Sequence, residues 1–75
     1  PKDICVDDNG KIFVSDGAHL VIQVFRADGT FEGLIGAEKN VDYQFASPFG
    51  LATHGKLLYV SDRWRNSIRV FEIQT

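Results

Sequence analysis

The sequence predicts an all-β chain of antiparallel meanders, and three observations carry that prediction. The apolar runs are short and rich in β-branched and aromatic side chains, the composition of strands rather than helices. Each run ends in a cluster of Gly, Asp, Asn or Ser, the residues that turn a chain. The order of the runs also repeats: Pro1 to Phe25 can be laid over Pro48 to Phe71 with one residue lost near the first turn.

The elements follow in order. Ile4-Cys5-Val6 predicts a first strand, closed by Asp7-Asp8-Asn9-Gly10, where Asn-Gly is a strong hairpin signal. Ile12-Phe13-Val14 predicts a second strand, running into Ser15-Asp16-Gly17. Val21 to Phe25 is a third, and Ala27-Asp28-Gly29 turns the chain into a fourth, Phe31 to Ile35. Four strands joined by tight turns make an antiparallel meander. A connector without periodicity runs from Gly36 to Pro48. The pattern then restarts with Leu51-Ala52-Thr53, a turn at His54-Gly55-Lys56, a strand at Leu57 to Val60 and another at Ser67 to Phe71. No fourth strand is evident before Thr75.

The repeat is specific in its residues. Ile4 falls on Leu51, Ile12 on Leu58, Phe13 on Tyr59 and Val14-Ser15-Asp16 on Val60-Ser61-Asp62. Ile22 falls on Ile68, and Val24-Phe25 on Val70-Phe71. The offset is 47 at the prolines (48 − 1) and 46 at the aspartates (62 − 16). A unit repeated at this period cannot bury its own faces and stacks on copies of itself. A repeated four-stranded meander is the unit of a β-propeller. The expected architecture is therefore one complete blade plus three strands of a second. Residues 1–36 form the first blade, 37–47 the inter-blade connector and 48–75 the incomplete second blade, all within one propeller domain. A single twisted seven-strand sheet or an open sandwich explains the strands, but not the repeated frame. Left alone, the second sheet is expected to expose an unpaired edge, and both flat faces of each blade to be bare.

Composition narrows the function classes. The 75 residues allow one small domain, and a chain this short buries roughly 60–65% of its unfolded surface. The single cysteine, Cys5, cannot form an internal disulfide and reads as a small buried hydrophobe. No apolar run approaches the ~20 residues that span a bilayer as a helix, so no membrane partner is expected. The chain opens on Pro1 and contains no methionine, the pattern expected of part of a longer product. Residues 1–50 carry four basic and eight acidic side chains, whereas residues 51–75 carry four basic and two acidic ones. The net charge of −2 does not suggest a nucleic-acid binder, although the C-terminal third is locally basic.

At these residues the chain resembles the NHL-repeat family of β-propellers. The second repeat offers Pro48-Phe49-Gly50-Leu51-Ala52, then Leu58-Tyr59-Val60-Ser61-Asp62, then Ile68-Arg69-Val70-Phe71. The first offers Pro1, Ile12 to Asp16, Ile22-Gln23-Val24-Phe25, Asp28-Gly29 and Ile35-Gly36, and Phe45-x-x-Pro48 matches the run-in to a new repeat. The family's loop often reads Asn-His-Arg, where this chain has His19-Leu20-Val21 and Arg65-Asn66-Ser67. The resemblance implies six blades, with this chain the C-terminal end of a ring, or else a short product that associates with further copies of itself. It also implies that the loops at 16–20 and 62–66 open on the same face as the connector, where propeller ligands and partners sit.

That face holds the candidate residues. Arg63-Trp64-Arg65 is the most distinctive group, because Trp and Arg are enriched in interface hot spots and guanidiniums stack on rings or bind phosphate. The plainer reading folds Trp64 over the adjoining blade and leaves the arginines solvated. Tyr43 is expected on the same face, and Phe45 as a core plug beneath the loops. Asp16 and Asp62 are expected to cap turns, since a short carboxylate after a strand accepts backbone N–H bonds. His19 is a weak ligand candidate. His54 belongs to the opposite hairpin, so the two histidines are not expected to share a metal. No metal spacing, phosphate loop, dinucleotide fingerprint or Gly-x-Ser-x-Gly elbow is present, so no cofactor and no catalytic residue is expected, and Ser15 and Ser61 read as structural.

Three functions compete. A non-catalytic binding or scaffold module, taking a protein or small ligand on the loop face, needs only a rigid frame and variable loops. A propeller enzyme, a metal-dependent lyase or hydrolase, needs axial ligands of which this chain offers at most Asp3, Asp16 and His19. Single-stranded RNA binding would use Arg63-Trp64-Arg65 for stacking and phosphate pairing, against the acidic balance elsewhere. The first is favoured.

Overall fold

A computed structural model of the chain describes residues 2–36, 45, 47–64 and 66–73. The expected connector therefore lies almost wholly outside the described residues, as do Tyr43 and Arg65. Seven strands form: β1 (Ile4–Val6), β2 (Ile12–Asp16), β3 (Val21–Phe25), β4 (Phe31–Ile35), β5 (Pro48–His54), β6 (Leu57–Asp62) and β7 (Ser67–Glu72). They make two antiparallel meanders, ordered β1-β2-β3-β4 and β5-β6-β7. Among the described residues there is no helix, so the chain is all-β.

Local chemistry explains the turns. In the first hairpin the Gly10 N–H bonds to the Asp7 carbonyl, Asp7 N–H to the Lys11 carbonyl, and Gly10 stands at φ +85°. This is a tight turn with glycine at the bulge position, so Asn9-Gly10 does not sit at the centre of a two-residue loop. The β3–β4 hairpin repeats the design with Arg26, Gly29 and Thr30. Asp7 and Asp28 each accept a backbone N–H two residues on, from Asn9 and Thr30. In the second sheet the loop is only Gly55-Lys56, because His54 is the last residue of β5 and pairs with Leu57. His54 is thus a strand residue rather than a turn residue.

The register sorts side chains into faces. Cys5, Phe13 and Val24 stand in one cross-strand row, and Ile22 and Ile35 in another, on one face of the first sheet. Leu51 pairs with Val60, and Leu58 with Phe71, on one face of the second. These two faces pack together with Phe45 and Ile73 into a single core. The expectation that both faces of each sheet would be bare is corrected here, since the inner faces cover each other and only the outer ones are open. Phe45 is 4% exposed and meets Phe71 edge-on at 5.6 Å. Gly36, at φ +93°, makes room for it: a Cβ there would lie 2.7 Å from the Phe45 ring.

Polar bonds join the sheets where β5 passes β1 and β2. The Ser15 hydroxyl donates to the Phe49 carbonyl (2.8 Å) and accepts the Asp3 N–H (2.9 Å). The Asp3 carboxylate accepts the Leu51 N–H at 2.8 Å, and the Thr53 hydroxyl donates to the Val6 carbonyl at 3.3 Å. Asp3 thus meets Leu51 while Val6 meets Thr53, so β1 and β5 run in the same direction. Toward β4 and β7 the sheets leave a cavity of about 280 Å³, lined among others by Leu34, Leu58, Phe71 and the Lys11–Glu32 ion pair (3.1 Å).

Candidate functional site

Because β1 and β5 run the same way, the β2–β3 and β6–β7 loops lie at one end of the molecule. Both loops span four residues, 17–20 and 63–66, between paired strand ends (Asp16 with Val21, Asp62 with Ser67). Each closes on a left-handed residue, Leu20 at φ +59° and Asn66 at φ +49°. Ile35 pairs with Ile22 and Pro48 with Asp62, so both described ends of the 36–47 segment reach this same end.

Asp16 organises the first loop. One carboxylate oxygen, Oδ1, accepts the Ala18 and His19 N–H groups, both at 3.1 Å. The other, Oδ2, meets His19 Nδ1 and accepts from Gln23 Nε2, each at 2.9 Å. These donors, the His19 ring first, hold the Asp16 carboxyl down at about 2 against the opposing effect of burial. With Nδ1–H directed at the carboxylate, a neutral His19 ring keeps Nε2 as an acceptor on a side chain that is 77% exposed. Gln23 escaped the sequence reading. Its signal was a polar residue inside the apolar run Val21 to Phe25, at the repeat position of Arg69.

Asp62 is 1% exposed and accepts the Ser47 N–H at 3.1 Å, tying the entry of β5 to the end of β6. The Arg63 N–H donates to the Ser47 carbonyl beside it. The Arg63 guanidinium lies 4.7 Å from the centroid of the Phe49 ring, a contact worth roughly 0.5–1 kcal/mol at an exposed site. Phe49 was also missed, since it reads as one more apolar residue of the repeat. Trp64 does not fold over a neighbouring sheet: at 80% exposure it projects from the turn. Arg65 and Tyr43 fall outside the described residues, so of the expected binding set the described loop end carries His19 on one loop and Arg63 and Trp64 on the other.

The remaining chemistry is structural. Ser15 is fully buried with its hydroxyl engaged between the sheets, and the Ser61 hydroxyl accepts the Gly50 N–H at 2.7 Å. Cys5 is half-buried against the core, and burial, with Asp3 and Asp7 adding, pushes its thiol up. Among the described residues, no group of three or more His, Cys, Asp or Glu side chains is placed to hold a metal ion. No helix among them is long and apolar enough to cross a membrane. No protein-family model matches the sequence, and no curated protein matches it.

Proposed function

We propose that the chain is part of an NHL-type β-propeller that serves as a non-catalytic binding module and takes its partner on the loop end. The single observation that carries this reading is Trp64, a large aromatic side chain left 80% exposed on a turn. Trp is the residue type most enriched at interface hot spots, and exposing one carries a solvation cost that a partner would remove. Arg63, next to it in the chain, is already oriented by Phe49, and the other loop at the same end carries His19, already oriented by Asp16. Polar groups already held in place lose little entropy when a partner engages them. The repeated frame supports the propeller assignment, because each meander carries the Ser-Asp strand end and a four-residue loop.

The chain supplies its own probe, since Trp64 is its one tryptophan. A random-peptide library displayed on phage and selected against the chain should enrich peptides that shift Trp64 emission. Those peptides should bind Trp64→Ala roughly 30-fold more weakly, the equivalent of a ~2 kcal/mol hot spot. Enriched peptides indifferent to both Trp64→Ala and Arg63→Ala would place binding elsewhere. An oligouridylate that quenches Trp64 more tightly than any peptide, with affinity falling steeply as salt rises, would replace the peptide reading with the RNA one.

A further inference from the structure

The two outer sheet faces are not arbitrary apolar surfaces. Each is the repeat equivalent of a face that is buried inside the molecule. On the outer face of the second sheet, Ile68 is 63% and Val70 52% exposed, whereas their equivalents Ile22 and Val24 are 0% and 6% exposed in the core. Tyr59 stands beside them at the place of Phe13. On the outer face of the first sheet, Ile4 is 61% exposed and pairs with Val14, and Ile12 follows on the same face. Their equivalents are Leu51, which packs against the core, and Val60 and Leu58, both fully buried.

The internal contact is therefore directional. The Phe13 face of one repeat packs on the Leu58/Val60 face of the next. One copy of each surface type is consumed in the middle, and one copy of each is left open at the outside. We infer that the outer face of the second sheet (Tyr59, Ile68, Val70) is a docking site for the outer face of the first sheet (Ile4, Ile12, Val14) of a second copy of this chain, head to tail. The polar contacts extend the same logic. Ser61 holds the place of Ser15, whose hydroxyl donates to the Phe49 carbonyl across the internal interface, so a docked copy would offer its Lys2 carbonyl there. One element is missing: Asp3, which accepts the Leu51 N–H inside the molecule, has Gly50 as its equivalent. The contact between copies lacks that clamp and is weaker than the internal one. It joins two different surfaces, so it is heterologous, closing into a ring or growing as an open stack according to the rotation per step. This inference rests on the repeat correspondence and not on the partner-binding reading, which involves the loop end instead.

Sedimentation velocity on the 75-residue chain across a concentration series tests it, with two single-face variants, Ile4→Asp and Val70→Asp. Both positions are more than half exposed, and circular dichroism checks that each variant keeps its sheets. Where one of them unfolds, Val6→Lys or Ile68→Lys on the same face replaces it. The wild-type chain should self-associate as concentration rises, and each variant alone should stay monomeric. An equimolar mixture should form a dimer of one copy of each, because one variant retains the first outer face and the other retains the second. A wild-type chain that is monomeric throughout, or an Ile4→Asp variant that associates like the wild type, would overturn the inference. So would a mixture that stays monomeric while the wild type associates.

Discussion

Ile22 and Ile68 occupy the same place in their repeats, two residues before the closing Val-Phe pair, yet one is fully buried and the other is 63% exposed. The reverse holds on the other face of the meander, where Leu58 is fully buried and its equivalent Ile12 only partly so. Burial in this chain thus follows from which sheet face meets the other sheet rather than from the residue type. Both faces of each meander carry apolar side chains, and each sheet has one face covered by the other sheet.

Substitutions at equivalent residues should have unequal effects. The largest difference is expected at the isoleucines: Ile22→Ala should cost about 2–5 kcal/mol through the cavity it leaves. Ile68→Ala should cost only about 0.5 kcal/mol at concentrations where the chain is monomeric. Urea unfolding followed by circular dichroism reads both, and equal costs would mean that the outer face is already covered in solution.

A smaller split is expected at the serines. Ser15→Ala strips the Phe49 carbonyl and the Asp3 N–H of a shared partner inside the interface, at about 1–3 kcal/mol. Ser61→Ala removes a bond within one sheet, to Gly50, and should cost about 1 kcal/mol or less. The same unfolding assay applies, and a reversed ranking would remove Ser15 as the link between sheets.

The two loops offer a third test. Leucine at φ +59° is strained where its equivalent, Asn66, accepts the left-handed region readily. Leu20→Asn is therefore expected to raise stability by about 0.5–1 kcal/mol, an increase in midpoint urea concentration with unchanged slope. A loss would mean that the Leu20 side chain packs more than its 41% exposure indicates.

The last test reads one carboxyl. Asp16 is held at about 2, below its ordinary 3.8, so its bonds contribute to stability in full above pH ~4 and are lost as pH falls through about 2. Its carboxyl carbon should titrate near 2 by NMR, and His19→Ala should move that midpoint upward. A midpoint near 3.8 in the unsubstituted chain would show that the bonds from His19 and Gln23 to the Asp16 carboxylate do not form.

Much of the fold was legible in the chain, for identifiable reasons. Strands announced themselves where apolar runs met turn residues, as at Val21 to Phe25 followed by Ala27-Asp28-Gly29, because turn chemistry is local. The boundaries were less legible: β5 begins at Pro48, and β2 and β6 run through Ser-Asp, since those ends are held by bonds to distant residues such as Ser47 and Phe49. Of the loop end, Trp64 could be singled out because an aromatic residue in a turn is unusual. The partners that orient other side chains of that end, Gln23 for Asp16 and Phe49 for Arg63, lie on neighbouring strands and come close only once those strands are paired.

The strands, most of their turns, the antiparallel order within each sheet and the repeat relating one sheet to the other could all be read from the residues. All of these follow from backbone preferences and side-chain alternation over a few residues. Which face of each meander is buried was settled by the packing of one sheet on the other. Both faces carry apolar side chains of the same kind, and nothing local distinguishes Ile22 from Ile68. The choice is made where β5 settles against β1 and β2, because Asp3, Ser15 and Thr53 can bond across the sheets there while Gly50 lacks the side chain to extend the same clamp outward.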